Sequence, residues 1–245
     1  MGTDPGNLLL AGPPAREEVL TTEQLEAIRE FDTCTLANAI EQFGVRMRNQ
    51  GYTRPGLRCF TSRFPKVLGF AAPCRVRVAD PPIVGGAFFE RVDWWSAIQQ
   101  VPQPRVAVIQ DLDPVPAGSS IGEVHSAILQ AFGCCGAITN GAVRDIPTVA
   151  RMGFEMFACH AAVSHSYAHV VDFGTEIEIL GLKICPGDLL FADCHGVLSI
   201  PDGIAAELPA VAAEVRRRRQ RIVDLCRSPE FSVEKLQQTI QQNQE

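Results

Sequence analysis

Between residues 105 and 161 the chain alternates apolar runs with helix-period runs, and this pattern constrains the fold more than any other feature. "RVAVIQDL" is a nearly continuous apolar strand, "IGEVHSAILQAFG" has the period of a helix stopped at Gly133, and "GAITN" is a second buried strand. "IPTVARMG" is a helix with Pro147 in its first turn, and "FEMFACHA" is a third strand. Strand, helix, strand, helix, strand at this spacing predicts a parallel α/β unit with right-handed crossovers.

The flanks are simpler. "LTTEQLEAIREF" predicts a helix capped by Thr21 or Thr22, and "TCTLANAIEQFG" a second helix closed by Gly44. From Leu68 to Val78 the run "LGFAAPCRVRV" ends in strict alternation and predicts a strand with one wet face. "GTEIEILGLKICPGDLLFADCHGVLSIP" predicts short antiparallel or barrel-like strands. The tail from Gly203 reads as one long helix to about Cys226 and a shorter one after Ser232. Residues 1–20, rich in Gly and Pro, are expected to be a loose arm, 21–227 a single domain, and 228–245 a C-terminal helical tail.

Charge and composition narrow the partners. A net charge of -6 and a pI near 5.4 repel phosphate backbones, so nucleic acid is not expected as a partner. No apolar run approaches the roughly 20 residues of a membrane span, and "NLLLAGPP" lacks a basic lead-in, so the expected location is cytoplasmic, with no membrane partner. Nine cysteines form no C-x-x-C pair, and several lie in apolar runs where a reduced thiol behaves as a small core hydrophobe.

In open parallel sheets, ligands gather beyond the carboxyl ends of the strands. Two loops qualify here: "PAGSSIGEVHS", with Gly118 and Gly122 allowing close approach before a helix N-terminus, and "GAVRD". Arg144 supplies a permanently charged fork for a carboxylate or keto acid, Asp145 a hard oxygen ligand, and Glu123 a second carboxylate. If the two loops follow adjacent strands, the three share one crevice and can hold a divalent cation against the oxygens of a small 2-oxo acid. The alternative is a surface pair, with Asp145 merely capping the helix that begins at Ile146.

"GEVHSAILQAFGCCGAITNGAVRDIPTVARMGFEMFA", together with "LGFAAPCRV" (68–76) and "CPGDLLFADCHGVLSIP" (185–201), resembles one family. It joins the class II 4-hydroxy-4-methyl-2-oxoglutarate / 4-carboxy-4-hydroxy-2-oxoadipate aldolases with the regulator of ribonuclease activity A. Glu123, twenty intervening positions, then Arg144 and Asp145 satisfy its acidic-residue, Arg-Asp signature.

The resemblance implies a three-layer α/β/β sandwich of swivelling-domain type with a parallel βαβ core and C-terminal helices, assembled with itself as a homotrimer or hexamer. It implies that Asp145 binds Mg²⁺ or Mn²⁺ directly, Glu123 holds the ion through water, and Arg144 steadies the keto oxygen and the enolate. The helix opening at Gly122, with the backbone amides of Val124, His125 and Ser126, would receive the substrate carboxylate. Glu214 would complete the metal's surroundings from a neighbouring subunit. The implied activity is a metal-dependent lyase that yields pyruvate by retro-aldol cleavage, by oxaloacetate decarboxylation, or both. The alternative is a non-catalytic regulator that binds a ribonuclease or other protein. Departures from the family pattern are Asn140 before Gly141, where aspartate is frequent, Asn38 in place of an acidic residue, and Cys74 in place of threonine.

His165, His169, Asp193 and His195 leave open a second metal site or specificity pocket against ordinary loop histidines, and His125 could line the pocket. Arg91, Trp94, Trp95 and His165 are candidate selectivity residues. Arg216–Arg219 read as a solvated helix face or a subunit contact.

Overall fold

A computed structural model describes residues 20–83 and 91–243. Its elements are α1 (Thr22–Arg29), α2 (Thr33–Gln42), β1 (Arg58–Cys59), β2 (Lys66–Arg77), α3 (Val92–Gln99), β3 (Arg105–Asp111), β4 (Ser119–Ile121), α4 (Glu123–Ala131), β5 (Cys134–Thr139) and β6 (Ala142–Val143). There follow α5 (Ile146–Arg151), β7 (Glu155–Ala158), β8 (His160–Ala161), β9 (His169–Phe173), β10 (Ile177–Ile179), β11 (Leu182–Ile184), β12 (Leu189–Asp193), β13 (Gly196–Ile200), α6 (Asp202–Ala205), α7 (Leu208–Arg227) and α8 (Val233–Gln242). Apart from Leu20, the expected N-terminal arm lies outside the described residues. Among the described residues, no helix is long and apolar enough to cross a membrane.

The backbone contacts divide the chain into two units, one of residues 50–201 and one of 20–49 with 202–243. The first contains the predicted α/β core. Its large sheet runs β1-β7-β5-β3-β2-β12-β13, with β9 also pairing β2. β2, β3, β5 and β7 are mutually parallel, and Pro73, Val108, Ile138 and Phe157 stand in one row across them. β12 joins β2 antiparallel, so the sheet is mixed outside its parallel centre.

The strand period of two sends alternate residues to opposite faces. Val67, Ala71, Val106, Val108, Ile138, Phe157, Leu190 and Ala192 share a core with Ile177, Ile179, Leu182 and Ile184 of the β10–β11 hairpin. Burying each of the larger of these contributes about 1.5–3 kcal/mol. β2 shows its expected wet face only at its alternating end, where Arg75 and Arg77 are less buried than Cys74 and Val76; burial is unbroken from Val67 to Cys74. Strands flank it on both sides, and the charged residues step outward at its two ends, Lys66 at the start and Arg75 and Arg77 at the finish.

A second sheet, β4-β6-β8, is parallel throughout. Each of its strands follows one of β3, β5 and β7, so the chain leaves three core strands in turn and pairs again just beyond them. This second pairing positions the candidate site. α3 was not anticipated as a helix: Trp94, Trp95 and Ile98 are buried along it, and the two indoles pack against Phe173 and Phe132.

In the second unit, Thr21 caps α1 in a reciprocal capping box with Gln24, and Asp32 caps α2 through the Thr35 amide. The tail expected as one long helix is two, α6 and α7, because Pro209 lies in the first turn of a new helix. The Arg216–Arg219 run lies on α7 and finds partners within this unit. Arg216 covers the Phe31 ring at 4.8 Å and Arg219 reaches Thr35 Oγ1 at 3.3 Å.

Candidate active site at the ends of β4 and β6

Ile121 and Val143 are register partners in the second sheet, and the Arg144 amide donates to the Ile121 carbonyl at 2.9 Å. The residues that follow, Gly122 and Arg144–Asp145, are therefore neighbours. The Asp145 Oδ2 accepts the Glu123 amide at 3.0 Å and lies 3.5 Å from Arg144 Nε. Residues 22 positions apart thus meet where two adjacent strands end, through the backbone amide of Glu123 and the side chain of Asp145.

The capping alternative does not hold. Asp145 occupies the N-cap position of α5, yet its side chain makes no capping hydrogen bond there. Its backbone is left-handed, φ 53° and ψ 28°, a conformation that costs an L residue about 1–2 kcal/mol. In return the carboxylate belongs to the mouth of α4 rather than to its own helix. Gly122 makes this possible by close approach: a Cβ there would sit 2.6 Å from Asp145 Oδ2 and 2.9 Å from Arg144 Cγ. Its own φ of -148° is ordinary extended backbone.

At the opening of α4 the amides are unequal. That of Glu123 is given to Asp145, and that of Ser126 to the Gly122 carbonyl at 2.9 Å. The Ser126 side chain is fully buried, with its Oγ 3.9 Å from Met156 Sδ. Of the amides expected to receive a carboxylate, those of Val124 and His125 belong to the first helical turn, whose N–H groups have no intrahelical acceptor. Ser126 is committed to the helix.

A cavity of about 460 Å³ lies beside this mouth, lined among others by Ser119, Val124, His125, Arg144, His165 and Tyr167. Residues 165–168 also line it, in a segment docked by the Ser119 amide on the Ser164 carbonyl at 2.8 Å. Gly118, expected to admit a ligand, instead admits this segment: a Cβ there would lie 2.8 Å from Ser166 Cβ and 2.9 Å from the Ser164 carbonyl oxygen. Tyr167 escaped the sequence reading because only this docking brings it to the cavity.

Burial, reinforced by Arg144 and His165, pushes the His125 imidazole from its ordinary 6.5 down to about 4. Between those values the unfolded chain binds a proton that the folded chain refuses. Stability should therefore fall as pH drops from about 6.5 to about 4, by at most about 3 kcal/mol from this residue. Above pH 7 the group has no such effect. Urea unfolding at about pH 7 and about pH 4.5 should show a smaller acid loss for His125→Gln than for the parent; equal losses would refute the assignment.

The other candidates lie elsewhere. Arg91 is bound to Asp93 at 2.7 Å and to the Val170 carbonyl at 2.9 Å, and Trp94 and Trp95 are buried. His169 pairs with Arg77 and Asp193 with Lys66, at opposite ends of β2, roughly 36 Å apart at about 3.3 Å per residue. His165, His169, Asp193 and His195 are therefore not one cluster. Asp193, Cys194 and His195 do bring ligand-type atoms within 4.8 Å in the β12–β13 turn, where Asp193 Oδ1 accepts the His195 amide at 2.8 Å. Glu214, on α7, has its carboxylate oxygens on Arg218 at 2.7 Å and Arg217 at 2.8 Å, which hold it below the usual carboxylate range.

The departure at Asn140 has a structural reason. Its side chain both accepts the Asp111 amide at 2.7 Å and donates to the Asp111 carbonyl at 2.9 Å, joining the ends of β3 and β5. An aspartate has no N–H for the second bond.

The family model described as RraA-like, Aldolase/RraA, matches residues 33–199. The chain belongs to this family. Glu123, Arg144 and Asp145 fall inside the RraA-like match and Glu214 outside it. A curated Burkholderia mallei protein named "Putative 4-hydroxy-4-methyl-2-oxoglutarate aldolase" is 29% identical over 114 residues, 44% of this chain and 66% of that protein. The chain spans 22 to 66% of the length of three curated relatives it matches. Among solved structures, an uncharacterized protein from Pseudomonas syringae pv. tomato aligns with a TM-score of 0.71 at 22% identity, over 94% of this chain and 99% of that one. Streptomyces coelicolor RraAS2, described as an unusual member of the RNase ES inhibitor RraA protein family, aligns with a TM-score of 0.66 at 18% identity, over 83% and 96%. At these identities the structural likeness is one of fold, and it agrees with the α/β/β arrangement with parallel core and C-terminal helices.

The donor chemistry at the RraA-like site suits a divalent cation. Asp145 presents a hard carboxylate, about one third exposed, whose Oδ2 is fixed by the backbone N–H of Glu123. Mg²⁺ and Mn²⁺ characteristically take one or two carboxylates and leave their remaining positions to water and substrate oxygens.

Proposed function

We propose that this RraA-like chain is a divalent-metal-dependent lyase that releases pyruvate from small 2-oxo acids. The reading covers retro-aldol cleavage of substrates like 4-hydroxy-4-methyl-2-oxoglutarate and decarboxylation of oxaloacetate. The observation that carries it is the junction of the Glu123 amide, the Arg144 guanidinium and the Asp145 carboxylate at one helix mouth. A surface meant only for protein contact does not require a left-handed aspartate held in place over a glycine.

Asp145 would hold the cation, with Glu123 close by. Mg²⁺ or Mn²⁺ bound there supplies Lewis acidity toward the keto oxygen. Arg144 stands beside the same point and offers positive charge to the oxygen that becomes an enolate. The first-turn amides of Val124 and His125, at the positive end of α4, orient the substrate carboxylate. The uncharged His125 imidazole can hydrogen-bond a substrate hydroxyl without adding charge to the cavity. Self-association into trimers or hexamers belongs to the same reading.

A lactate-dehydrogenase-coupled assay with Mg²⁺ tests it. Pyruvate should appear from 4-hydroxy-4-methyl-2-oxoglutarate or oxaloacetate faster than in protein-free controls, and chelation should stop it. Absence of turnover across such acids, with stoichiometric capture of a ribonuclease, would replace the lyase with the regulator.

A further inference from the structure

β12 and β13 are joined by the two-residue turn Cys194–His195, closed by the register pair Asp193 and Gly196. The backbone there is fixed from outside. The Val197 amide donates to Thr53 Oγ1 at 3.1 Å, and a Cβ on Gly196, at φ 131°, would lie 2.8 Å from the same oxygen. Three different donors converge on this turn. Asp193 Oδ1 lies 3.0 Å from His195 Nδ1, which lies 3.5 Å from Cys194 Sγ, and one ligand-type atom of each residue falls within 4.8 Å of the others. The Asp193 side chain is 5% exposed and its Oδ1 also accepts the His195 amide at 2.8 Å, whereas the His195 side chain is 54% exposed and Cys194 is exposed. A pre-oriented carboxylate thus meets two side chains that a solute can reach. Asp193 pairs with Lys66 at the start of β2, so the turn stands at the amino-terminal end of the parallel strands, whereas Asp145 follows their carboxyl ends.

We propose that Asp193, Cys194 and His195 form a binding site for a borderline-soft divalent cation of the Zn²⁺ type, separate from the hard-cation site at Asp145. Zn²⁺ takes thiolate, imidazole and carboxylate ligands at about 2.0–2.3 Å, so two ligands of a tetrahedral ion stand roughly 3.3–3.6 Å apart. The observed separations of 3.0 and 3.5 Å are close to that spacing, and rotation of the exposed Cys194 side chain closes the third edge. On binding, the Cys194 thiol gives its proton to solvent and ligates as thiolate, His195 ligates through Nδ1 with its proton on Nε2, and Asp193 ligates through Oδ1. The His195 amide, bonded to that same oxygen, holds the carboxylate in place. One thiolate and one carboxylate neutralise the ion. Lys66, opposite Asp193 in the register, is exposed, and water screens its charge. Water completes the coordination. Thiolate and imidazole select Zn²⁺ over Mg²⁺ and Mn²⁺, which belong with the oxygen donors at Asp145.

Titration of the reduced protein with Co²⁺, a spectroscopic stand-in for Zn²⁺, tests this. A near-ultraviolet thiolate-to-cobalt charge-transfer band should appear, be bleached by Zn²⁺ and be unaffected by excess Mg²⁺. Cys194→Ser should abolish the band. His195→Ala should weaken Co²⁺ binding by about tenfold or more, since losing even a group that only orients a ligand costs that much. Both residues are exposed, so neither substitution disturbs the core. Cys185→Ser, at another exposed thiol, and Asp145→Asn should leave the band and the affinity unchanged. Absence of a thiolate band in the parent, its persistence in Cys194→Ser, its loss in Cys185→Ser or Asp145→Asn, or undiminished binding by His195→Ala would overturn the proposal.

Discussion

Asp145→Asn is expected to lower pyruvate release by about a thousandfold or more while the protein melts within a few degrees of the parent. Asparagine tolerates the left-handed backbone at this position and keeps an oxygen for the Glu123 amide, so the local structure survives. What disappears is the negative charge. A cation site that loses its direct anionic ligand loses both affinity and its polarising effect, and single electrostatic contributors at reacting oxygens are worth about a hundred- to a thousandfold alone. Asp145→Ala should be at least as inactive and also less stable, because alanine gains nothing from the left-handed conformation. Coupled pyruvate assays beside thermal melts separate the two effects. An Asp145→Asn protein with parental kcat would mean that the charge plays no part in the reaction.

The second large effect is expected from adding one methyl group. Gly122→Ala places a Cβ 2.6 Å from Asp145 Oδ2 and 2.9 Å from Arg144 Cγ, closer than real Cβ contacts. Alanine accepts the extended backbone of Gly122, so the substitution introduces no dihedral strain. The two side chains must retreat instead, and displacing a positioning group by about 1 Å costs on the order of a hundredfold in rate. We expect kcat/KM to fall about a hundredfold with a melting temperature within a few degrees of the parent. Unchanged kcat/KM would show that the closeness of Gly122 and Asp145 is incidental to activity.

The sequence made the parallel core readable because β3, β5 and β7 alternate with α4 and α5, each long enough to carry a period. The β4-β6-β8 sheet was not readable. Its strands have two or three residues, too few for any period, and their pairing is visible only once β3, β5 and β7 are side by side. The wet face expected on β2 is present where the sequence alternates, at Arg75 and Arg77, and is absent over the continuous apolar run from Val67 to Cys74, which is covered on both faces. That the loops carrying Glu123 and Arg144–Asp145 come together was legible because both follow neighbouring strands of the core. The sequence could not reveal that Asp145 turns its carboxylate to α4, that Ser126 spends its amide inside the helix, or that Tyr167 reaches the cavity through the Ser164–Ala168 segment. Those depend on a left-handed residue, a helix boundary and a contact at Gly118.

Titration of Mn²⁺ in the presence of oxalate, followed by electron paramagnetic resonance, tests the metal assignment most directly. It compares the parent with Asp145→Asn and His195→Ala, the latter altering the other cluster of ligand-type side chains among the described residues. The account predicts one site per chain, strengthened by oxalate, lost in Asp145→Asn and retained in His195→Ala. Binding that survives Asp145→Asn and vanishes in His195→Ala would place the ion at the β12–β13 turn and contradict the assignment of Asp145.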